Sequence, residues 1–193
     1  MRCFGLVVTA LLLGGCAHPM VITPDIARVN PDPAQQRVHK NAGFYISPQD
    51  RAAEVTTPGG GGDKVRYRPY ADLETGLYRM LSNVFDDVTR LNAPDDAAAI
   101  AQHQISYVIL PKVSTDSSSN GVFTWMATDF TVGLTCDVRD PAGKPVTQVS
   151  VTGTGKAAFS NLTANPSYAG QRASEDALIK MQRALADSPQ LKK

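Results

Sequence analysis

The run Thr124 to Arg139 constrains this chain more than any other stretch. Met126, Thr128, Phe130, Val132, Leu134, Cys136 and Val138 fall on one side of it. Ala127, Asp129, Thr131, Gly133, Thr135, Asp137 and Arg139 fall on the other. Successive side chains of a strand point to opposite faces, so this alternation predicts a long strand with one covered face and one wet face. Asp140-Pro141-Ala142-Gly143 is a turn. Val146 to about Phe159 then returns, with Val149, Val151, Gly153, Gly155 and Ala157 on one face. Those small residues predict either close approach by a covering helix or a bend in the strand. Upstream, Ile105–Thr115 contains Tyr107-Val108-Ile109-Leu110, apolar enough for burial on both faces. Pro111 has no N–H to give a ladder and marks a bulge or an edge.

The cover for such a sheet is also written in the chain. Leu73, Leu77, Leu81 and Val84 recur at helical spacing between Tyr70 and Phe85, flanked by Met80. Asp72 and Glu74 lie in the first turn, where the helix dipole favours acids. A second long helix spans about Tyr168 to Leu185, with Ala173, Ala177, Leu178, Met181 and Leu185 as its stripe. Each helix is apolar on one face only and must lie on something. Shorter elements are a strand near Gly43–Ser47, a strand at Asp87–Leu91 and a helix at Asp95–Gln102. The expected class is α+β: an antiparallel sheet, made of a three-strand meander plus an N-terminal strand, with two main helices packed on one face.

Two segments stand apart from this pattern. Residues 48–64 form an insertion with Thr57-Pro58 followed by four glycines, Gly59 to Gly62. A phosphate loop needs Gly-Lys-Ser/Thr ahead of a helix, and Asp63-Lys64-Val65 follows instead. A hairpin tip is the better account. Residues 16–37 hold several prolines and little periodicity, and read as a flexible tether that could reach up to ~3.3 Å per residue. The single folded domain is then expected over 38–187, with 188–193 as a tail.

The chain starts with Met1-Arg2, an apolar run from Phe4 to Leu13, and Leu13-Gly14-Gly15-Cys16. A charged start, a short apolar stretch and small residues before the cut are the marks of a secretory signal over residues 1–15. The run is shorter than the ~20 apolar residues a membrane span needs. The cysteine after the small pair resembles the lipobox of bacterial lipoproteins. That resemblance implies cleavage between Gly15 and Cys16, a diacylglycerol on the Cys16 thiol, and usually acylation of the new amino terminus. Ala17 in place of an aspartate implies the outer membrane, with the domain facing the periplasm. Two or three acyl chains hold firmly where one holds marginally.

With the signal gone, Arg2 leaves and no acid does, so the 19 Lys+Arg of the chain fall by one to match its 18 Asp+Glu. This balance excludes a nucleic-acid footprint and a polybasic membrane patch. Cys3 leaves with the signal and Cys16 carries lipid, so Cys136 has no partner for an intrachain disulfide. It reads as a small buried hydrophobe, with an intermolecular bridge or reactive thiol as the alternative.

Signals for catalysis are weak. His18 and His39 fall in the tether and at its end, and no histidine pair or Cys/His cluster has metal spacing. No Gly-x-Ser-x-Gly elbow occurs. His103 is the one candidate base in the folded part and reads as a surface residue. Acid pairs such as Asp86-Asp87 and Asp95-Asp96 point apart and read as structural. No catalytic residue, metal or cofactor is assigned. One stretch reads as a contact surface: Phe123 and Trp125 beside the polar loop Asp116–Gly121, exposed aromatics of the kind that meet partners. The alternative for Trp125 is packing under the insertion at 48–64.

With the lipobox, the helix Leu73–Leu81 running into Val84-Phe85, and the meander about Asp140–Lys144, the chain resembles small envelope lipoproteins of the YajG type. It also resembles the wider group of outer-membrane assembly lipoproteins that includes the lipopolysaccharide-assembly lipoprotein LptE. The resemblance implies a non-enzymatic accessory or adaptor in envelope assembly or transport. Its partners would be the membrane, through the anchor, and another envelope protein. A self-associating structural lipoprotein and a cell-envelope hydrolase are the alternatives.

Overall fold

The meander forms where the alternation requires it. The computed structural model describes residues 17–119 and 124–192. Within it, β6 (Ile105–Ser118), β7 (Asp129–Arg139) and β8 (Pro145–Lys156) pair antiparallel, in unbroken register between β6 and β7 and with one shift, at Val138/Arg139, between β7 and β8. Phe130, Val132, Leu134, Cys136 and Val138 are all buried on one face. On β6 the apolar run divides as its continuity predicts: Ile109 faces the main core, and Val108 a small second cluster behind the sheet.

Two further strands extend the sheet. β2 (Val38–Phe44) lies beside β6, and β5 (Phe85–Arg90) beside β2, giving the order β5-β2-β6-β7-β8. Both pairings of β2 are parallel. Parallel neighbours need a crossover, and α2 (Pro69–Val84) lies on the one between β2 and β5. The α+β class stands, with the N-terminal strand entering parallel in an otherwise antiparallel sheet.

α2 starts with Pro69 in its first turn, where a missing N–H costs nothing. Its buried stripe is Leu73, Leu77, Met80, Leu81 and Val84. α5 (Tyr168–Ala186) buries Ala173, Ala177, Leu178, Met181 and Leu185 and lies over β7 and β8. The glycines of β8 explain how close it comes. A Cβ on Gly155 would fall 2.0 Å from the Ala169 carbonyl oxygen, and one on Gly153 would fall 2.3 Å from that of Ala173. Helix backbone rests directly on strand backbone there, so the small residues mark a covering helix. Behind the sheet, α3 (Ala97–Gln102) is capped by the Asp96 side chain, which accepts from the Ala99 N–H. Ala99 and Ile100 cover Leu91, Ile105 and Val108.

The insertion at 48–64 belongs to a second sheet. β2 ends at Phe44, short of the expected Ser47, which instead caps α1 (Pro48–Ala52). β3 (Val55–Pro58) and β4 (Lys64–Tyr67) then form a hairpin with the glycines at its tip. Gly61 and Gly62 have φ of 65° and 88°, the left-handed region that glycine enters freely. Tyr67 packs on Phe130 with ring centroids 5.2 Å apart, joining this sheet to the main core.

The expected flexible tether is not what residues 17–37 form. β1 (Ala17–Pro19) pairs parallel with β4, making a three-stranded sheet. Beyond it, Met20, Ile22 and Val29 are buried in the main core. The segment is a docked strap, because those apolar residues find a groove between α2 and α5. The tail is docked as well: Leu191 is fully buried, and its carbonyl accepts from Tyr107 Oη at 3.4 Å. A third correction concerns the start of β7. Residues 124–128 leave the strand, Thr128 N–H donates to the Ser118 carbonyl, and Ala127 is buried where Met126 was expected.

Candidate functional site

The strap defines the region that matters most. The Ile22 N–H donates to Asp72 Oδ2 at 3.0 Å, and the Asp25 N–H donates to Glu175 Oε1 at 3.1 Å. Burial holds the Asp72 carboxyl above its ordinary range, partly offset by N–H donation from Ile22 and Arg68. Glu175 is buried and hydrogen-bonded also by Arg172. Further along, the Val29 carbonyl accepts from Asn83 Nδ2, and Gln182 Nε2 donates to the Asn30 carbonyl. Two helical glycines make room: a Cβ on Gly76 would lie 2.7 Å from Pro24 Cγ, and one on Gly170 would lie 2.5 Å from Ile22 Cγ2. The strap therefore fixes where the chain emerges toward residue 16.

At that exit, His18 stacks on Trp125 with ring centroids 4.4 Å apart and planes inclined by 20°. His18 Nε2 lies 3.5 Å from Asp63 Oδ2. The glycine tip abuts the Trp125 backbone. The Gly60 N–H donates to the Trp125 carbonyl at 3.0 Å, and a Cβ on Gly59 would fall 2.2 Å from that oxygen. Trp125 is half-buried and packs against the main core. Beneath it, Ser117 Oγ donates to the Pro58 carbonyl at 2.6 Å and lies 2.6 Å from Thr57 Oγ1. Tyr67 Oη donates to Thr115 Oγ1 at 2.8 Å. This hydroxyl network pins the hairpin to the end of β6. A groove of about 260 Å³ opens beside it, lined by Ser117, Asp129, Phe130, Thr154 and Lys156 among others.

The residues singled out from the sequence scatter. Gly15, Cys16 and Phe123 lie outside the described residues. The histidines occupy three separate places: His18 on Trp125, His39 beside Asp86 at 3.3 Å, and His103 as the C-cap of α3 behind the sheet. Among the described residues, no group of three His, Cys, Asp or Glu side chains is placed to hold a metal ion. Cys136 is fully buried, and burial pushes its thiol up to about 12. Such a thiol is inert at neutral pH, since the thiolate is the reactive form. No helix among the described residues is long and apolar enough to cross a membrane. Sequence reasoning missed the strap clamps Asp72 and Glu175. Asp72 had a local explanation in its helix turn, and the Met20/Val21/Ile22 alternation was the available signal.

The architecture recurs in a solved structure. Protein XCC0632 of Xanthomonas campestris, of the family DUF330, superimposes with a TM-score of 0.52 at 14% identity, over 86% of this chain and 93% of that one. A minor lipoprotein of Acinetobacter baumannii matches at TM-score 0.42 and 15% identity, over 77% and 94%. The dodecameric PelC of Paraburkholderia phytofirmans matches at TM-score 0.42 and 16% identity, over 77% and 92%. No family model matches the sequence, and no curated protein matches it either. The chain thus shares the fold of the Xanthomonas protein, and sequence-level kinship is not shown.

Proposed function

We propose that this chain is a lipid-anchored lipoprotein of the bacterial outer membrane, facing the periplasm. It is cut before Cys16, acylated there, and works by binding, as an accessory or adaptor in envelope assembly or transport. The observation that carries this reading is Leu13-Gly14-Gly15-Cys16 set directly against Ala17, the first residue of β1. The likeness in fold to XCC0632 is compatible with it and supplies no activity. The scatter of the histidines and the inert Cys136 favour a binding role over a hydrolase.

The anchor raises the local concentration of the domain at the membrane, so weak contacts with another envelope protein become effective. Phe123 and Trp125 are the candidate contact residues for that protein. The test is Cys16→Ala. Mass analysis of the native protein is expected to show acyl chains on Cys16, and the variant is expected in the soluble fraction with its fold intact. A bare Cys16 thiol in the native host, or a variant that still fractionates with membranes, would overturn the reading.

A further inference from the structure

Four runs without a charged residue converge at the end of the molecule where β1 starts. Residues 17–24, 55–62, 117–128 and 157–171 contain no Asp, Glu, Lys or Arg, in a chain where 19% of residues are charged. Their described parts meet in space. Ala17 pairs with Lys64 beside the glycine tip, the Gly60 N–H donates to the Trp125 carbonyl, and the Ala157 N–H donates to the Thr128 carbonyl. The Val21 N–H donates to Ser167 Oγ. Charges stand just outside these runs, at Asp63, Lys64, Asp116, Asp129, Lys156 and Arg172. The other end of the same strands carries the turn Arg139–Lys144 with Asp140, and is charged.

Within the charge-free end, α4 (Phe159–Ala164) presents its first residue to solvent. Phe159 is 65% exposed, the most exposed large hydrophobic side chain among the described residues. The helix that holds it is fixed: Leu162 is fully buried, and the Ala158 N–H donates to Asn161 Oδ1 at 3.2 Å. Ser160, Thr163 and Ala164 beside it are exposed, small and uncharged.

We propose that this end rests in the bilayer interface, with Phe159 inserted among the acyl chains and Trp125 at headgroup level. The proposal rests on acylation of Cys16. No residue separates Cys16 from β1, and one residue spans only ~3.5 Å, so an acyl chain on Cys16 brings this end to the lipid. A lipid interface accepts uncharged, hydroxyl-bearing and aromatic surface and rejects buried charge. The pattern fits that surface, with Lys156 and Arg172 placed where their head groups can stay in water. The charged opposite end then faces the periplasm.

The test uses the full mature protein purified with its acyl chains and reconstituted into phosphatidylethanolamine/phosphatidylglycerol vesicles. In a Trp125→Phe background, Phe159→Trp places the reporter at the proposed contact, and Tyr78→Trp, on α2, places it at a control site. Brominated acyl chains are expected to quench most of the emission from position 159 and little of that from position 78. Aqueous acrylamide should show the reverse. Quenching at 159 no greater than at 78 overturns the proposal while leaving the anchor intact. Absence of acyl mass on Cys16 overturns the anchor and this proposal together.

Discussion

Ile22→Ala tests whether the strap is structure or tether. Ile22 is fully buried, and its Cγ2 fits against Gly170 so closely that a Cβ there would come within 2.5 Å. Truncating a fully buried isoleucine to alanine costs about 3 kcal/mol, from lost transfer and the cavity left behind. For a domain of this size each kcal/mol moves the midpoint by roughly 2–4 °C, so the expected fall in Tm is roughly 6–12 °C. The loss should also show locally. The Ile22 and Asp25 N–H groups are held by Asp72 and Glu175, and their exchange with deuterium should be slow in the parent and faster in the variant. Thermal unfolding by circular dichroism and hydrogen exchange read by NMR measure both. An unchanged Tm, with both amides exchanging at unfolded rates in the parent, would refute the docked strap.

Gly155→Ala should destabilise by about 1–3 kcal/mol, because its Cβ would collide with α5 backbone and not with a movable side chain; denaturant unfolding measures it. Asp72→Asn keeps an acceptor for the Ile22 N–H and removes the charge. The folded pKa of Asp72 is raised, so its contribution is full below the ordinary value of 3.8 and is lost as pH rises through the folded value. The variant should therefore be more stable than the parent near neutral pH, and that advantage should shrink toward and below 3.8; urea midpoints at both ends of the range check the sign. The Cys136 thiol should resist alkylation in the native protein and react only on unfolding, as timed labelling with mass detection would show. Rapid native-state labelling would contradict its burial.

Much of the body was legible from periodicity alone. From Phe130 onward the alternation of β7, and the stripes of α2 and α5, name the buried residues correctly because each is a local repeat with one face. Gly153 and Gly155 pointed to a covering helix or a bend, and the structure decides for the helix. The hairpin with the glycine tip in 48–64 was read correctly, and the reading failed where the proline content of residues 17–37 was taken for looseness. That segment looks irregular in sequence, yet it supplies β1, which joins β3 and β4 in a second sheet. The candidate site suffered for the same reason: His18 was assigned to a tether, so its stacking on Trp125 had no place in the reading.

The sequence by itself determined the period of each long element, the face each buries, and the small-residue run ending at Cys16. Only the tertiary structure decided where residues 17–30 go. The partners of that strap lie 50 and 150 residues away, at Asp72 and Glu175, and its apolar side chains have no groove until α2 and α5 are packed together. Short segments lack the repeats that declare burial, so their fate is set by surfaces that distant parts of the chain create.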